Sequence, residues 1–299
     1  AVDHWRREAL DFVVDLGDMI DQQCQARGES REALARVLKA WEPVQVPVWR
    51  CIGNHELYNF TRAQLTALVP GYSPSYRCER RPGWRILFLD PYDLNVIEKG
   101  APQRKQEGLA YLEARNPNDL RAPRGTVDCL KGLHGMDRRF APMAGAVKPR
   151  QLRWLQTQLE EAVVAGERVV VLSHVPVHPG ATATVALLWN YDQVLAVLRA
   201  VPPGTIPLFL AGHWHCGGYA EDHLTGTHHV TLPSPLNADG DPRAHCVVEV
   251  TEKEVKVQGV GLVPTRTLRV PALGKRLGRS SVRDDGMDEE ARQPLFARL

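Results

Sequence analysis

Six polar residues from four well-separated segments share one local setting. Asp18, Asn54, His55, His174, His213 and His215 stand at the ends of short apolar runs: DFVVDLGD (11–18), VPVWRCIGNHE (46–56), RVVVLSH (168–174) and IPLFLAGHWH (206–215). Asp, Asn and His without a thiolate suit a divalent cation of intermediate hardness. On an extended segment, residues i and i+2 project to the same side, so His213 and His215 reach into one crevice. One imidazole can then serve each of two neighbouring ions. A pair of metals roughly 3.5–4 Å apart clamps a hydroxide and steadies the attacking and leaving oxygens of an in-line phosphoryl displacement.

The apolar runs must be the elements that gather these groups. Nearly continuous hydrophobicity over a few residues is the pattern of a strand covered on both faces. In open α/β sheets, ligands collect at the carboxyl ends of such strands. Between the runs lie helical patterns: Leu34, Val37, Leu38 and Trp41 after a Ser30 cap, and Leu152, Leu155, Leu159 and Val163 after Pro149. A third spans Thr184 to Val201, burying Leu187, Leu188, Tyr191, Leu195 and Leu198. Strands alternating with helices predict an α/β domain with largely parallel pairing. From Thr227 onward, HHVTL, HCVVEV and EVKVQGV read as consecutive antiparallel strands. Residues 98–148 read as a long surface excursion of the kind that covers a site, and residues 271–299 as a tail without fixed structure.

Composition narrows the function classes. The 299 residues are 43% hydrophobic and 24% charged with a net charge of +2, and the basic clusters are short, so no nucleic-acid footprint follows. No apolar run approaches the ~18–20 residues of a membrane span, and no secretory h-region opens the chain. The six cysteines never form C-x-x-C, which points to packed thiols in a reducing, cytoplasmic setting. Cys216 beside His215 has no second cysteine at zinc-ligand spacing. His178, His228 and His229 are assigned no ligand role. Oligomeric state is left open.

Four blocks in order, GDMID (17–21), GNHE (53–56), the His of LSH (172–174) and GHWH (212–215), resemble the G-D-x-x-D, G-N-H-[D/E], H and G-H-x-H blocks of the calcineurin-like metallophosphoesterases. DPYDLNV (90–96), NPND (116–119), WNYD (189–192), GGY (217–219) and HHVTL (228–232) extend the resemblance to the manganese-dependent ADP-ribose/CDP-alcohol diphosphatases, from about residue 3 to about residue 263. The resemblance implies a four-layer α/β/β/α sandwich over residues 1–270. It also implies two divalent metals, manganese first, with magnesium, iron or zinc as alternatives. The substrate class is a small nucleotide diphosphate such as ADP-ribose or a CDP-alcohol, attacked by hydroxide that two metals activate.

By the same resemblance, Asp18 bridges both metals, Asn54, His174 and His213 complete the second, and His215 turns to the first. His55 stabilises or protonates the leaving oxygen, with its ring held by an Asp21 hydrogen bond. Tyr58, Phe60 and Tyr219 follow these blocks and are candidates to contact the base or alcohol. Taken singly, Asp18 reads equally as a helix cap, His174 as a core histidine and Asn54 as a turn residue. Four such strand ends together favour ligation.

One block is missing. The family opens with a strand ending in Asp-x-His or Asp-x-Gln, and nothing upstream of GDMID supplies it; VDHW (2–5) reads as the helix after that strand. The sandwich is therefore expected to be N-terminally incomplete, either as a fragment or as a truncated product, with an unpaired sheet edge, one well-held metal and impaired turnover. The alternatives are another metallophosphoesterase, acting on cyclic nucleotides or phosphoproteins, and a non-catalytic nucleotide- or metal-binding module.

Overall fold

The four apolar runs form β1 (Phe12–Asp15), β2 (Val48–Arg50), β5 (Arg168–Leu172) and β6 (Leu208–Ala211), around β3 (Arg77–Arg81), β4 (Trp84–Phe88), β7 (Gly218–Asp222) and β8 (Thr227–Thr231). Three further strands, β9 (Ala244–Val250), β10 (Glu254–Gly261) and β11 (Arg266–Arg269), make an antiparallel meander, and β12 (Ala297–Arg298) is a two-residue strand. The coordinates are a computed structural model, which describes residues 1–123, 125–237, 241, 243–274 and 297–298, the last two through their backbone.

Six strands share one sheet in the order β3-β4-β5-β6-β8-β7, parallel from β4 to β8 with antiparallel edges. Its central strands bury both faces, as continuous apolar runs require. Ile86, Val170, Leu172 and Leu208 face Phe12, Val14 and Val248 of the opposing strands. Leu87, Val169, Val171 and Phe209 face Leu155 and Leu159 of the helix Pro149–Ala165 and Leu195 of the helix Tyr191–Leu198. On the far side, Val13 and Val247 pack with Trp5, beside Trp41 of the helix Ser30–Trp41. Helices, sheet, sheet and helices give the four layers expected, and the segment Val2–Trp5 is helical as read.

Several expectations need correction. HHVTL is β8, which pairs parallel with β6 and antiparallel with β7, so only β9 and β10 pair consecutively in the antiparallel series read from Thr227 onward. The Thr184–Val201 helix is a 3-10 turn, Thr184–Ala186, and then Tyr191–Leu198. Between them the N–H groups of Leu188 and Trp189 bond to Pro176 and Gly145 instead of to a helical turn. The excursion over 98–148 contains the helix Pro102–Glu113, whose Leu109 and Leu112 reach the core, and it begins and ends near a Leu94–Ala146 bridge. Ser30 does not cap its helix; its hydroxyl donates to Asn59 Oδ1 at 2.7 Å.

The edge expected to be unpaired is paired. β1 lies between β2 and β12, with Phe12 opposite Ala297 and Val13 opposite Arg298 in parallel register. Most of the expected 271–299 tail falls outside the described residues. Among the described residues, no helix is long and apolar enough to cross a membrane.

Candidate metal centre

After β1 the chain turns through two left-handed residues, Gly17 at φ 97° and Asp18 at φ 64°. A non-glycine residue with positive φ is uncommon, and such strain persists where surrounding bonds over-determine it. Here the bonds come from Glu56. Its buried carboxylate accepts the backbone N–H groups of Asp18 (2.8 Å), Met19 (2.7 Å) and Gly53 (2.8 Å), tying the GDMID turn to the GNHE turn. Gly53 is required by contact as well, because a Cβ there would collide with the Asp18 carboxylate. Burial pushes the Glu56 carboxyl up to about 7, and the Asp18 and Asp15 charges add to the effect.

Asp18 Oδ1 accepts the N–H of His55 at 2.8 Å, while Oδ2 lies 3.2 Å from His174 Nε2. His174 is buried behind β5, with its Nδ1 2.7 Å from the Leu16 carbonyl. That carbonyl can only accept, so Nδ1 carries a proton and Nε2 is the nitrogen turned inward; against the effect of burial, the Asp18 carboxylate raises the pKa of the ring. Nε2 faces Asn54 Oδ1 at 3.2 Å, His213 Nδ1 at 3.1 Å and Asp18 Oδ2. Tyr92, fully buried, donates its hydroxyl to the same Asn54 oxygen at 3.2 Å.

With Nε2 deprotonated, as a metal ligand must be, four lone-pair donors around one point repel one another unless a cation sits between them. The ligand atoms of Asp18, His174 and His213 lie within 4.8 Å of one another, the spacing of a metal-binding group. Burial opposes charge on Asp18, but His174 beside it holds the carboxyl below the usual carboxylate range. Burial and the neighbouring His174 push His213 down to about 3, leaving its ring neutral with a lone pair to offer. The donor set thus fits a divalent cation.

His213 and His215 reach one cleft by a different route from the extended geometry expected. β6 ends at Ala211, and His213 is left-handed at φ 65° within a turn closed by Trp214 N–H to Gly212 O (2.7 Å) and Gly217 N–H to Trp214 O (2.9 Å). His213 joins the Asp18 cluster, whereas His215 lines the cleft outside it. This cleft has a volume of about 360 Å³; Gln22, His55 and His215 line its polar side, and Met143, Val185 and Trp214 its apolar side.

His55 Nδ1 accepts the N–H of Gln22 at 2.9 Å. The Asp21 carboxylate stands 3.6 Å from that nitrogen, too far for the hydrogen bond expected, and its other oxygen accepts the Gln23 N–H at 2.7 Å. The backbone of Gln22, not the side chain of Asp21, sets the ring. Burial lowers the His55 pKa against the pull of Asp18 and Asp21.

The three aromatic candidates lie elsewhere. Phe60 ends its helix pointing into the core. Tyr219 sits on the edge strand β7, its hydroxyl 3.1 Å from His228 Nδ1 and its ring under Arg266. Tyr58 packs against the His55 ring at 5.6 Å but lines a separate cavity. Position after a motif says nothing about the direction a side chain faces. Glu56 and Tyr92 went unassigned from sequence although both lie inside the quoted stretches; their burial and partners are tertiary facts.

This fold and this centre are those of the calcineurin-like phosphoesterases, and the chain belongs to that family, whose model matches residues 2–217. Its relatives include the manganese-dependent ADP-ribose/CDP-alcohol diphosphatases of Bos taurus, 33% identical over 90% of this chain and 82% of the bovine protein, and of Arabidopsis thaliana, 33% identical over 87% and 82%. A crystal structure of a dimetal phosphatase from Danio rerio superposes with a TM-score of 0.80 at 32% identity, covering 90% of this chain and 87% of that one.

Proposed function

We propose that this protein is a manganese-dependent hydrolase of the diphosphate linkage in ADP-ribose, CDP-alcohols or related small nucleotides. The observation that carries the reading is the convergence of Asp18 Oδ2, Asn54 Oδ1 and His213 Nδ1 on His174 Nε2 within 3.2 Å. Together with the identity to diphosphatases over most of the chain, this favours phosphoryl chemistry over a binding module. Asp18, Asn54, His174 and His213 would hold one divalent cation, and Asp18 with His215 a second. Bound there, the cations lower the pKa of water and neutralise phosphate charge.

The chain's own groups do the rest. Glu56 fixes the Asp18 turn, Tyr92 and the Leu16 carbonyl orient the Asn54 and His174 donors, and the apolar side of the cleft excludes water from the bound nucleotide. Because Nδ1 of His55 accepts from Gln22, its proton sits on Nε2, which points into the cleft 4.0 Å from Asp18 Oδ2. From there it reaches the oxygen that leaves phosphorus, the task of a general acid. The six free cysteines fit a reducing compartment, and we place the protein in the cytoplasm.

Activity with Mn²⁺ on ADP-ribose, CDP-choline, cyclic AMP and p-nitrophenyl phosphate tests the reading. Turnover of the first two should exceed that of the others and vanish with chelator. Preference for cyclic AMP would replace it with the phosphodiesterase alternative, and no turnover in folded, metal-loaded protein would favour a binding module. Four donors hold a cation more firmly than two, so calorimetric titration should resolve one tight and one weak site.

A further inference from the structure

One side of the cleft over the metal donors is apolar, and neither a divalent cation nor a diphosphate gains from it. Met143, Val185 and Trp214 line that side, each half-buried, and Asp18, Asn54 and His213 line the same space. Trp214 is the flat member and stands closest to the metal donors along the chain, between His213 and His215. Its position is fixed in the turn after β6, where its N–H donates to Gly212 O at 2.7 Å and its carbonyl accepts the Gly217 N–H at 2.9 Å. Met143 is tied to the cluster too, because its carbonyl lies 3.4 Å from the Tyr92 hydroxyl that serves Asn54.

Trp214 differs from the other tryptophans in what covers it. Trp41 and Trp154 are also half-buried, and each has a ring against it, Trp5 at 5.5 Å and Tyr76 at 4.7 Å. Trp189 is fully buried, stacks on Tyr111 at 5.6 Å and donates Nε1–H to Ala141 O at 2.9 Å. Among the described residues Trp214 has no ring against it and its Nε1–H meets no acceptor. A ring of that size left open in a cleft has much apolar surface to give to a ligand.

A nucleoside diphosphate held over the metals carries its base one ribose away from phosphorus, and Trp214 is one residue away from two of the metal donors. The two substrate groups proposed above carry different bases, adenine in ADP-ribose and cytosine in the CDP-alcohols, whose edges present different hydrogen-bond patterns. A site that read those edges would reject one of them. A flat ring accepts both, because every base has a π-face. Met143, unbranched and polarizable, adapts to a base of either size. We propose that Trp214 is the platform on which the nucleobase of the substrate stacks, and that it gives the site its tolerance of purine and pyrimidine nucleotides alike. This rests on the diphosphatase reading.

The test uses Trp214→Leu, which keeps an apolar side chain without a π-face, and Trp214→Phe, which restores a smaller one, each loaded with Mn²⁺. Stacking binds ground state and transition state alike, so in the Leu variant KM for ADP-ribose and for CDP-choline should rise at least about fivefold while kcat stays within about threefold. The Phe variant should recover most of that loss. Titration with AMP and with ribose 5-phosphate gives a readout independent of turnover. AMP, which carries the base, should bind the Leu variant at least about fivefold more weakly than wild type, and ribose 5-phosphate, which lacks it, should bind both alike. Wild-type affinity for AMP in the Leu variant overturns the proposal, and so does an equal loss for AMP and ribose 5-phosphate, which would put Trp214 against the phosphate or the sugar. Bound manganese, measured by elemental analysis, should match wild type in both variants; its loss in both would make Trp214 a prop of the His213–His215 turn and overturn the proposal as well. A wild-type protein that turns over neither ADP-ribose nor CDP-choline overturns the diphosphatase reading, and the AMP titration still decides for or against the platform.

Discussion

The backbone N–H of Gln22 donates to Nδ1 of His55 across 2.9 Å, and this single bond decides which nitrogen of His55 holds the proton. A neutral imidazole has one donor and one acceptor nitrogen, so an accepting Nδ1 makes Nε2 the donor. The donor faces the cleft beside Asp18 rather than the protein interior.

Replacing His55 with Ala should therefore remove proton donation, along with the acceptor of the Gln22 N–H, and leave the Asp18 cluster in place. kcat on ADP-ribose should fall about 10²–10⁴-fold. Because His55 contributes no atom to the Asp18–His174–His213 group, bound metal measured by elemental analysis should match wild type. Lost metal would make His55 a ligand instead.

Glu56 carries more of the site than any ligand does, through three N–H groups on two separate turns. Glu56→Ala takes the acceptor from three donors, the buried Gly53 N–H and the partly buried Asp18 and Met19 N–H groups, at up to about 1–3 kcal/mol each. The same change frees the left-handed Asp18 turn, so metal affinity should drop about 10–100-fold. Glu56→Gln is not conservative here. Oε2 accepts from both Asp18 and Gly53 and Oε1 from Met19, so an NH₂ in either position meets a donor. Urea unfolding and metal titration should rank the three proteins wild type, Gln, Ala. Equal metal affinity across them would show that the Asp18 turn holds itself.

What the sequence disclosed and what it hid follow from one distinction. β5 and β6 are apolar on both faces, so their runs announce strands without reference to anything else. The β3–β4 hairpin carries Arg77, Arg80, Arg81 and Arg85, and it is absent from the elements inferred from sequence. In the fold Arg77 lies over Phe88, its partner across the hairpin, at 4.4 Å, while Arg81 lies over Trp49 at 5.0 Å and Arg85 meets Glu161 at 2.7 Å, both partners distant in sequence. The convergence of Asp18, Asn54, His174 and His213 was legible because strand ends meet wherever parallel strands pair. The aromatic contacts were not, because Phe60 and Tyr219 face away from the cleft for reasons of helix phase and sheet edge. His213 and His215 were paired correctly in space, but a left-handed turn, invisible in residue types, does the pairing.

His229 on β8 introduces an acid sensitivity remote from the metal centre. Its Nδ1 is buried with no hydrogen-bond partner among the described residues, and its ring packs on Phe209 at 5.3 Å and His178 at 4.8 Å. Burial first, then the positive charges His178 and Arg199 can carry, hold its pKa at about 3 despite the opposing pull of Asp222; His228 is the remaining facing group. In the unfolded chain the group titrates near 6.5. Between those values the unfolded state binds the extra proton, so stability rises with pH and is lost as pH falls from about 6.5 toward 3. The slope from this group approaches about 1.4 kcal/mol per pH unit. Urea unfolding of wild type and His229→Phe at pH 7.5, 6 and 5 should show wild type losing stability faster on acidification. Parallel losses would remove His229 as the cause.

The pairing of Ala297 and Arg298 with Phe12 and Val13 gives the last residues of the chain a task next to the metal centre. Phe12 and Val13 are fully buried, so an edge left open there would strand backbone polar groups where water reaches them poorly. The strand they occupy leads within a few residues to Gly17 and Asp18, whose left-handed geometry depends on where β1 ends. A chain ending at residue 296 should lose about 1–3 kcal/mol of stability, the cost of one or two unmet backbone hydrogen bonds. Hydrogen exchange localises the effect: the amides of residues 12–15 should exchange faster in the shortened chain, while those of β5 and β6 keep wild-type protection relative to the new global stability. If β1 amides and the unfolding midpoint are both unchanged, the C-terminal residues do not hold this edge in solution, and the geometry of Asp18 is maintained by β2 and Glu56 alone.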